Sequence, residues 1–470
     1  MPVAVLVAMG LLIALPALQN TGGTQAPATQ PQPDQSSEQA GEQAGEQAGE
    51  QGGEQGGEQA GEQAGPVDQS QPPSEPRAPQ TEPGEPPDQD TPTGEDQTAD
   101  QAPAPPPPAT ESTEDTQTQD GTPQRDLRVL PVTGDASAWQ YARIGGVDPE
   151  SHALEITFSL RGAGIERIAL AGYDQRLGSA DPVPAQQEWT LPTADGGTIR
   201  IVPFAAVSVE INGQSVSVYT ATDDAGEAKP AWAQVSPGRF QATIADGDGT
   251  PVVRLERHYQ TNGSSYDFTL TQTAENLTDE PMQIRWVTFG PSQLYQESQG
   301  YGGDKRRVRF GYVEPGSPHF VVGGDFMETI TQVAGNRDQA TGLYPPTLQL
   351  WPNDRAQNND LRLAWTGLTN RYFGTAVHAV AEGDPTPGVA PTLTGVERVS
   401  RVLLDPSART DGPNYLMGLQ LTSPQYEVPP GEQTQHDLGI YSGPLDRELI
   451  SSNVSASAVM LRQLVQYTFG

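Results

Sequence analysis

The side chains best suited to acid–base or metal chemistry are five histidines, His152, His258, His319, His378 and His436, in a chain of 470 residues. No two stand in an HxH or HExxH spacing, so no helix or strand offers a pair of imidazoles to one metal ion. There is no cysteine, which excludes disulfides, thiolate metal sites and a thiol nucleophile. GxSxG, Walker and Rossmann fingerprints do not occur either. Asp246-Gly-Asp248-Gly249 has the flavour of a calcium loop but lacks the later ligands and the closing glutamate; between two strand-like runs it predicts a turn. Carboxylate pairs for glycoside chemistry meet in space rather than in sequence, so none can be picked from the 38 acids after Asp126. The basic cluster Lys305-Arg306-Arg307, with Arg309, sits in a Gly-rich stretch running into an alternating segment. It reads either as a contact for anionic headgroups or an acidic partner, or as a charged strand edge that resists edge pairing. These residues give no reason to expect catalysis, a metal, a cofactor or a small-molecule substrate.

Chemistry needs elements to hold it, and the chain is unevenly supplied with them. Residues 1–126 contain 22 acids and 2 bases, Arg77 and Arg125. Aromatics begin only at Trp139, and Val67 is the sole large aliphatic residue from Gln19 to Asp126. Such a segment buries too little apolar surface to offset the entropy of ordering it. Residues 19–126 are therefore expected to be a disordered acidic tether rich in Pro, Gln and Gly. It includes seven Glu-Gln-(Ala/Gly)-Gly units between Glu38 and Gly65. The net charge of −34 is largely the tether's, at −20, and opposes any electrostatic grip on nucleic acid. Ahead of it, Pro2–Leu18 is an uncharged, mostly apolar run, between a cleaved signal and a membrane span in length, which predicts a transmembrane anchor or signal-anchor over 1–18.

From Leu127 the texture changes to short alternating runs separated by Gly, Pro, Asn and Asp. Leu154, Ile156, Phe158 and Leu160 share one strand face. The run Val207–Ile211 leads through Asn212-Gly213 into Val216-Ser-Val218, a hairpin signal because Asn and Gly tolerate positive φ. Tyr266–Leu270, Leu361–Trp365 and Tyr415–Leu421 repeat the alternation. The expected class is mainly β over 127–450, with antiparallel sheets packed face to face in an extended or double sandwich. The period then switches. Val454, Ala458, Leu461 and Val465 predict an amphipathic helix within 451–470, packed on the sandwich or lying at a membrane interface. Lys305, Arg306, Arg307, Leu461 and Val465 are accordingly the candidate interaction residues.

Several local blocks, in order, resemble the N-terminal part of a bacterial YidC-type membrane protein insertase. They are Arg257-His-Tyr259 followed by Tyr266–Leu270 and Asn276-Leu-Thr-Asp-Glu-Pro281; Lys305 to Phe310; Trp365-Thr-Gly-Leu-Thr-Asn-Arg-Tyr-Phe373; Val428-Pro-Pro-Gly431; Ile440–Leu445; and Leu464–Gly470. The Trp365–Phe373 block is the most distinctive, and the matches cover Arg257–Gly470. The resemblance implies an uncleaved first transmembrane helix, a variable tether and a periplasmic β-supersandwich of galactose mutarotase-like architecture. It also implies an inner-membrane location, with nascent membrane proteins and the Sec translocon as partners. The family's five further transmembrane helices form a hydrophilic groove, yet no apolar run of 18 or more residues follows Leu18 here. No insertion-site residue is therefore assigned, and 451–470 is expected to lead towards a missing membrane domain.

On this reading the chain is a non-enzymatic scaffold and interaction domain. The alternative is an exported carbohydrate-binding or aldose-epimerase-like sandwich. That would require His258, His319 or His378 beside a carboxylate in a concave aromatic pocket. A third reading is an exported β-rich binding protein with no insertase link.

Overall fold

A computed structural model describes residues 126–133, 143–176, 178–192, 197–294, 305–323, 327–335, 345–381, 389–404 and 416–465. The expected anchor (1–18) and nearly all of the expected tether (19–126) lie outside these residues. The described part is mainly β, built from several antiparallel sheets.

The long sheet has 11 strands. Seven of them carry the argument: β1 (Arg239–Ala245), β2 (Pro251–Thr261), β3 (Asp267–Asn276), β4 (Arg307–Glu314), β5 (Arg362–Thr369), β6 (Phe373–His378) and β7 (Gln433–Pro444). Their order in space is β1-β2-β3-β7-β6-β5-β4, with the strand Ser317–Val322 beyond β4. A second sheet of seven strands runs through Ala206–Ile211, Met282–Ser292, Met417–Thr422 and Arg398–Leu403. A four-stranded sheet contains Leu154–Ser159 and Gly164–Asp174.

Alternation explains why these runs are strands. Leu154, Ile156 and Phe158 are buried on the face the sequence predicts. The Asn212-Gly213 turn joins Ala206–Ile211 to Gln214–Ser217 with φ of 50° and 83°, the positive values that only such residues take without strain. Asp246–Gly249 is a turn as expected, with Asp246 Oδ1 accepting the N–H groups of Asp248 and Thr250. One apolar core is common to the sheets. Ile156 and Ile168, Val209 and Trp286, and Leu255, Leu270 and Leu438 all belong to it. Phe158 reaches across to Phe240 and Tyr259, with ring centroids 5.3 and 4.8 Å away.

The C-terminal region departs from expectation. Instead of one amphipathic helix within 451–470, the chain forms α1 (Arg447–Ser452), α2 (Val454–Ala458) and a 3-10 turn, Leu461–Leu464. Asn453 is the reason for the first break. Its extended backbone ends α1, and its side chain accepts the Ala456 N–H to open α2. Met460, left-handed at φ 52°, turns the chain again before Leu461. Of the predicted apolar face, Leu461 and Val465 are buried, with Leu464 beside them, whereas Ala458 is only half-buried; upstream of Met460 the breaks turn Ile450, Ala456 and Val459 to the core instead. Asn453→Ala should cost about 1 kcal/mol through the lost cap. Chemical denaturation would measure it, and an unchanged midpoint would mean that packing alone sets the break.

Candidate functional site

The predicted basic cluster opens β4. Far from lying at a bare edge, β4 is hydrogen-bonded to β5 on one side and to Ser317–Val322 and Met327–Thr329 on the other. The expectation of a charged strand edge is thereby corrected, because residue spacing alone does not reveal which strands will pair. Arg306 and Arg309 are buried, while Lys305 and Arg307 are half-buried.

Arg309 has a defined task. Its Nη1 donates to the Leu464 carbonyl at 2.7 Å and to that of Gln463 at 3.4 Å. From α1, Arg447 Nη2 donates to the Val465 carbonyl at 3.3 Å. The Gln463 side chain donates to the Val321 carbonyl at 2.6 Å. Three side chains thus fasten the segment Leu461–Val465 at the β4 end of the long sheet: the two arginines satisfy carbonyls that a short 3-10 turn leaves open, and Gln463 ties the turn to the strand Ser317–Val322. Burial, with the nearby Arg307 charge second, pulls the Arg309 guanidinium down to about 10, so it remains charged at neutral pH.

Below this clamp lies Trp365 of β5, fully buried. Its indole covers Gly311, where a Cβ would stand 2.1 Å from Cε2 and Nε1. Leu461 and Val465 pack in the same core, so their apolar faces are taken up by the sheet rather than offered to a partner. Of the five candidate interaction residues, the structure brings Lys305, Arg306 and Arg307 to one end of the long sheet and buries Leu461 and Val465 against it. Arg447 and Gln463 were missed by sequence reasoning: both donate to main-chain oxygens, and no residue pattern announces such a partner.

Two histidines are buried in the long sheet. His378 of β6 is 0% exposed, and Asp267 of β3 is 5% exposed. His378 Nε2 lies 2.7 Å from Asp267 Oδ2, and Nδ1 lies 2.8 Å from the Ala379 carbonyl. Both ring nitrogens face acceptors, so the imidazole carries both protons. Burial alone would push its pKa down. The Asp267 charge, the hydrogen bond to it and the Ala379 carbonyl outweigh burial and hold the ring above its ordinary value. An epimerase-like reading would need this pair in an open aromatic pocket; here the ring lies against Gly439 with no exposed atom surface to meet a sugar. The pair instead ties β3 to β6 across β7.

His436 of β7 meets Gln272 of β3, Nε2 to Nε2 at 2.8 Å, so the glutamine amide donates to a neutral imidazole. Burial, with the Arg257 charge second, pulls His436 down to about 4. Arg257, fully buried, donates Nη1 to the Gly162 and Ala163 carbonyls at 2.6 and 3.2 Å and so fastens the four-stranded sheet's hairpin to β2. His258 is half-buried and His319 exposed, on separate strands. Among the described residues no group of His, Asp or Glu is arranged to hold a metal, and no helix is long and apolar enough to cross a membrane.

The fold and clamp define a multi-sheet antiparallel domain whose last segment is fastened to the edge region of its long sheet. Residues 147–469 match the YidC periplasmic domain, and the chain belongs to that family. The matched region is accordingly the periplasmic part of an inner-membrane protein, in the context of membrane insertion. No curated protein matches the chain. Among solved structures, a putative aldose 1-epimerase from Klebsiella pneumoniae is 12% identical, over 67% of this chain and 82% of its own, with a TM-score of 0.33. A galactose mutarotase related enzyme from Lactobacillus acidophilus is 9% identical, over 64% of this chain and 97% of its own, with a TM-score of 0.34. Likeness at that level assigns this chain neither a fold nor an activity.

Proposed function

We propose that the chain is a non-catalytic scaffold and interaction domain of a membrane protein insertase, a periplasmic β-supersandwich that aids insertion and folding of integral membrane proteins. The reading divides the chain into an anchor (1–18), a tether (19–126), the sandwich (127–450) and a coupling segment (451–470). Nascent membrane proteins and the Sec translocon are the partners the family suggests.

The observation that carries the proposal is the Arg309–Leu464 hydrogen bond, with Arg447 and Gln463 beside it. A rigid sheet transmits position to whatever follows Val465 only if that segment cannot swing. Hydrogen bonds from a charged donor contribute about 1.5–3 kcal/mol each, enough to keep the segment closed nearly all the time.

Arg309→Met keeps the stem and removes the donors. It is expected to raise trypsin cleavage after the exposed Arg462 by roughly tenfold or more while the remaining domain stays folded. In the native host, replacing the chain by this variant should slow insertion of a multispanning client, read by protease protection. If neither depletion of the chain nor this substitution alters insertion, the scaffold role fails.

A further inference from the structure

We propose that the cationic end of the long sheet seats directly on an anionic lipid surface. This rests on the insertase reading above and names the partner of the same site. The register collects the basic residues there. Arg307, at the start of β4, pairs with Thr369 at the end of β5; Phe373, at the start of β6, pairs with Pro444 at the end of β7. Lys305 and Arg307, with Arg306 buried between them, therefore come to the same end as Arg371 in the β5–β6 turn. Arg447 of the clamp and Arg462 within the clamped segment join them.

The turn is built to present its tip. Asn370 Oδ1 accepts the N–H groups of Tyr372 and Phe373 at 2.9 and 2.7 Å, and the Tyr372 carbonyl accepts the Leu445 N–H at 2.7 Å. Within that frame Tyr372 is 57% exposed, and Leu449 on α1 is 39% exposed. An amphipathic ring and an aliphatic side chain among arginines suit the boundary between headgroups and acyl chains.

Charge is segregated along the strands. Asp446, Glu448 and Glu328, which pairs with Val308 of β4, stand at the basic end, and the Asp446 side chain is occupied in capping α1. The adjacent turn, residues 262–265, is uncharged, and Asp148 and Glu150 lie beyond it on the β2 side. The far end of the same sheet carries Asp246, Asp248, Glu314 and Glu432, with Arg128 and Arg362 there as well. In a chain of formal charge −34, only an oriented approach brings its bases to an anionic membrane and keeps its acids away.

The absence of cysteine makes a single label unambiguous. Pro2–Leu18 is itself expected to enter any bilayer, so the readout is local rather than bulk sedimentation. The 470-residue chain carrying Tyr372→Cys, labelled with an environment-sensitive dye, is mixed with vesicles of phosphatidylcholine alone or with added phosphatidylglycerol; Asp248→Cys is the far-end control. The dye at 372 should shift to an apolar signature only with phosphatidylglycerol, and high salt should reverse the shift. Adding Arg371→Glu and Arg462→Glu should weaken the response by roughly tenfold or more. Equal responses on both vesicles, an equal response at position 248, or indifference to the charge reversals would overturn the proposal. So would a response to soluble polyglutamate with none to vesicles, which would make the surface a protein-binding one. Any of these failures would leave the Arg309→Met insertion result standing, so the two readings fail separately.

Discussion

His378→Ala is expected to lower the unfolding free energy by about 3–5 kcal/mol, because it strands the Asp267 carboxylate inside the sheet without a partner. The loss should depend on pH in a fixed sense. The folded ring has its pKa raised above 6.5, so its contribution is complete below pH 6.5 and fades as pH rises through the folded value. His436 acts in the opposite sense. Held down to about 4, it stays neutral while the unfolded chain takes up a proton, so its contribution is complete above 6.5 and is lost as pH falls towards 4. Between them the two histidines favour a stability maximum near pH 6.5. Urea midpoints for wild type and variant across the range should converge as pH rises on the alkaline side. A gap of constant size would mean that the ring is not doubly protonated. The double variant His378→Ala/Asp267→Ala should cost less than the two single changes together, since each removes the other's unpaired charge.

Gly311→Ala is the second large effect, expected at about 3 kcal/mol, the upper end for overpacking a core. The new methyl would stand 2.1 Å from the Trp365 indole, and the ring has little room to yield: a Cβ at Gly323 would already meet its Cζ2 at 2.6 Å. To accommodate the methyl, Trp365 must leave its rotamer or β4 must move away from β5. Moving β4 also moves Arg309. The variant should therefore show a lowered urea midpoint together with faster cleavage at Arg462. A lowered midpoint with an intact terminal segment would show that the clamp tolerates displacement of β4. Trp365→Ala separates the alternatives, since it empties the site at a cost of about 3–5 kcal/mol without pushing β4.

The strands were the most legible part of the sequence. Leu154–Ser159 and the Asn212-Gly213 hairpin follow from period and turn chemistry, both of which are local properties. Pairing is not local, and there the reading weakened. Nothing in Lys305–Phe310 says that two further segments cover its outer side, so the basic run looked like a protected edge. The Asp267–His378 pair joins residues 111 apart in sequence, and no spacing rule reaches that far. At the C-terminus the apolar stripe of Leu461 and Val465 was legible as the face that packs. The breaks at Asn453 and Met460 were not, and because they re-aim the chain, Ala456 and Val459 are buried where a continuous helix would have buried Ala458. Of the clamp, Arg309 was visible as part of a cluster, whereas its acceptors are carbonyl groups that every residue has.

Those acceptors have a consequence for how the chain is free to vary. Arg309 and Arg447 hold main-chain oxygens at Leu464 and Val465, which the side chains at 464 and 465 do not supply. The clamp therefore gauges length rather than identity. From the end of β7 at Pro444 to Val465 the chain must use the number of residues that brings the Leu464 carbonyl beneath Arg309, fixed on β4, and the Val465 carbonyl beneath Arg447, carried on α1. Exchanges along that path are tolerated wherever the core accepts the new side chain, but a single inserted or deleted residue puts the wrong carbonyls beneath the guanidiniums and throws the grip out of step.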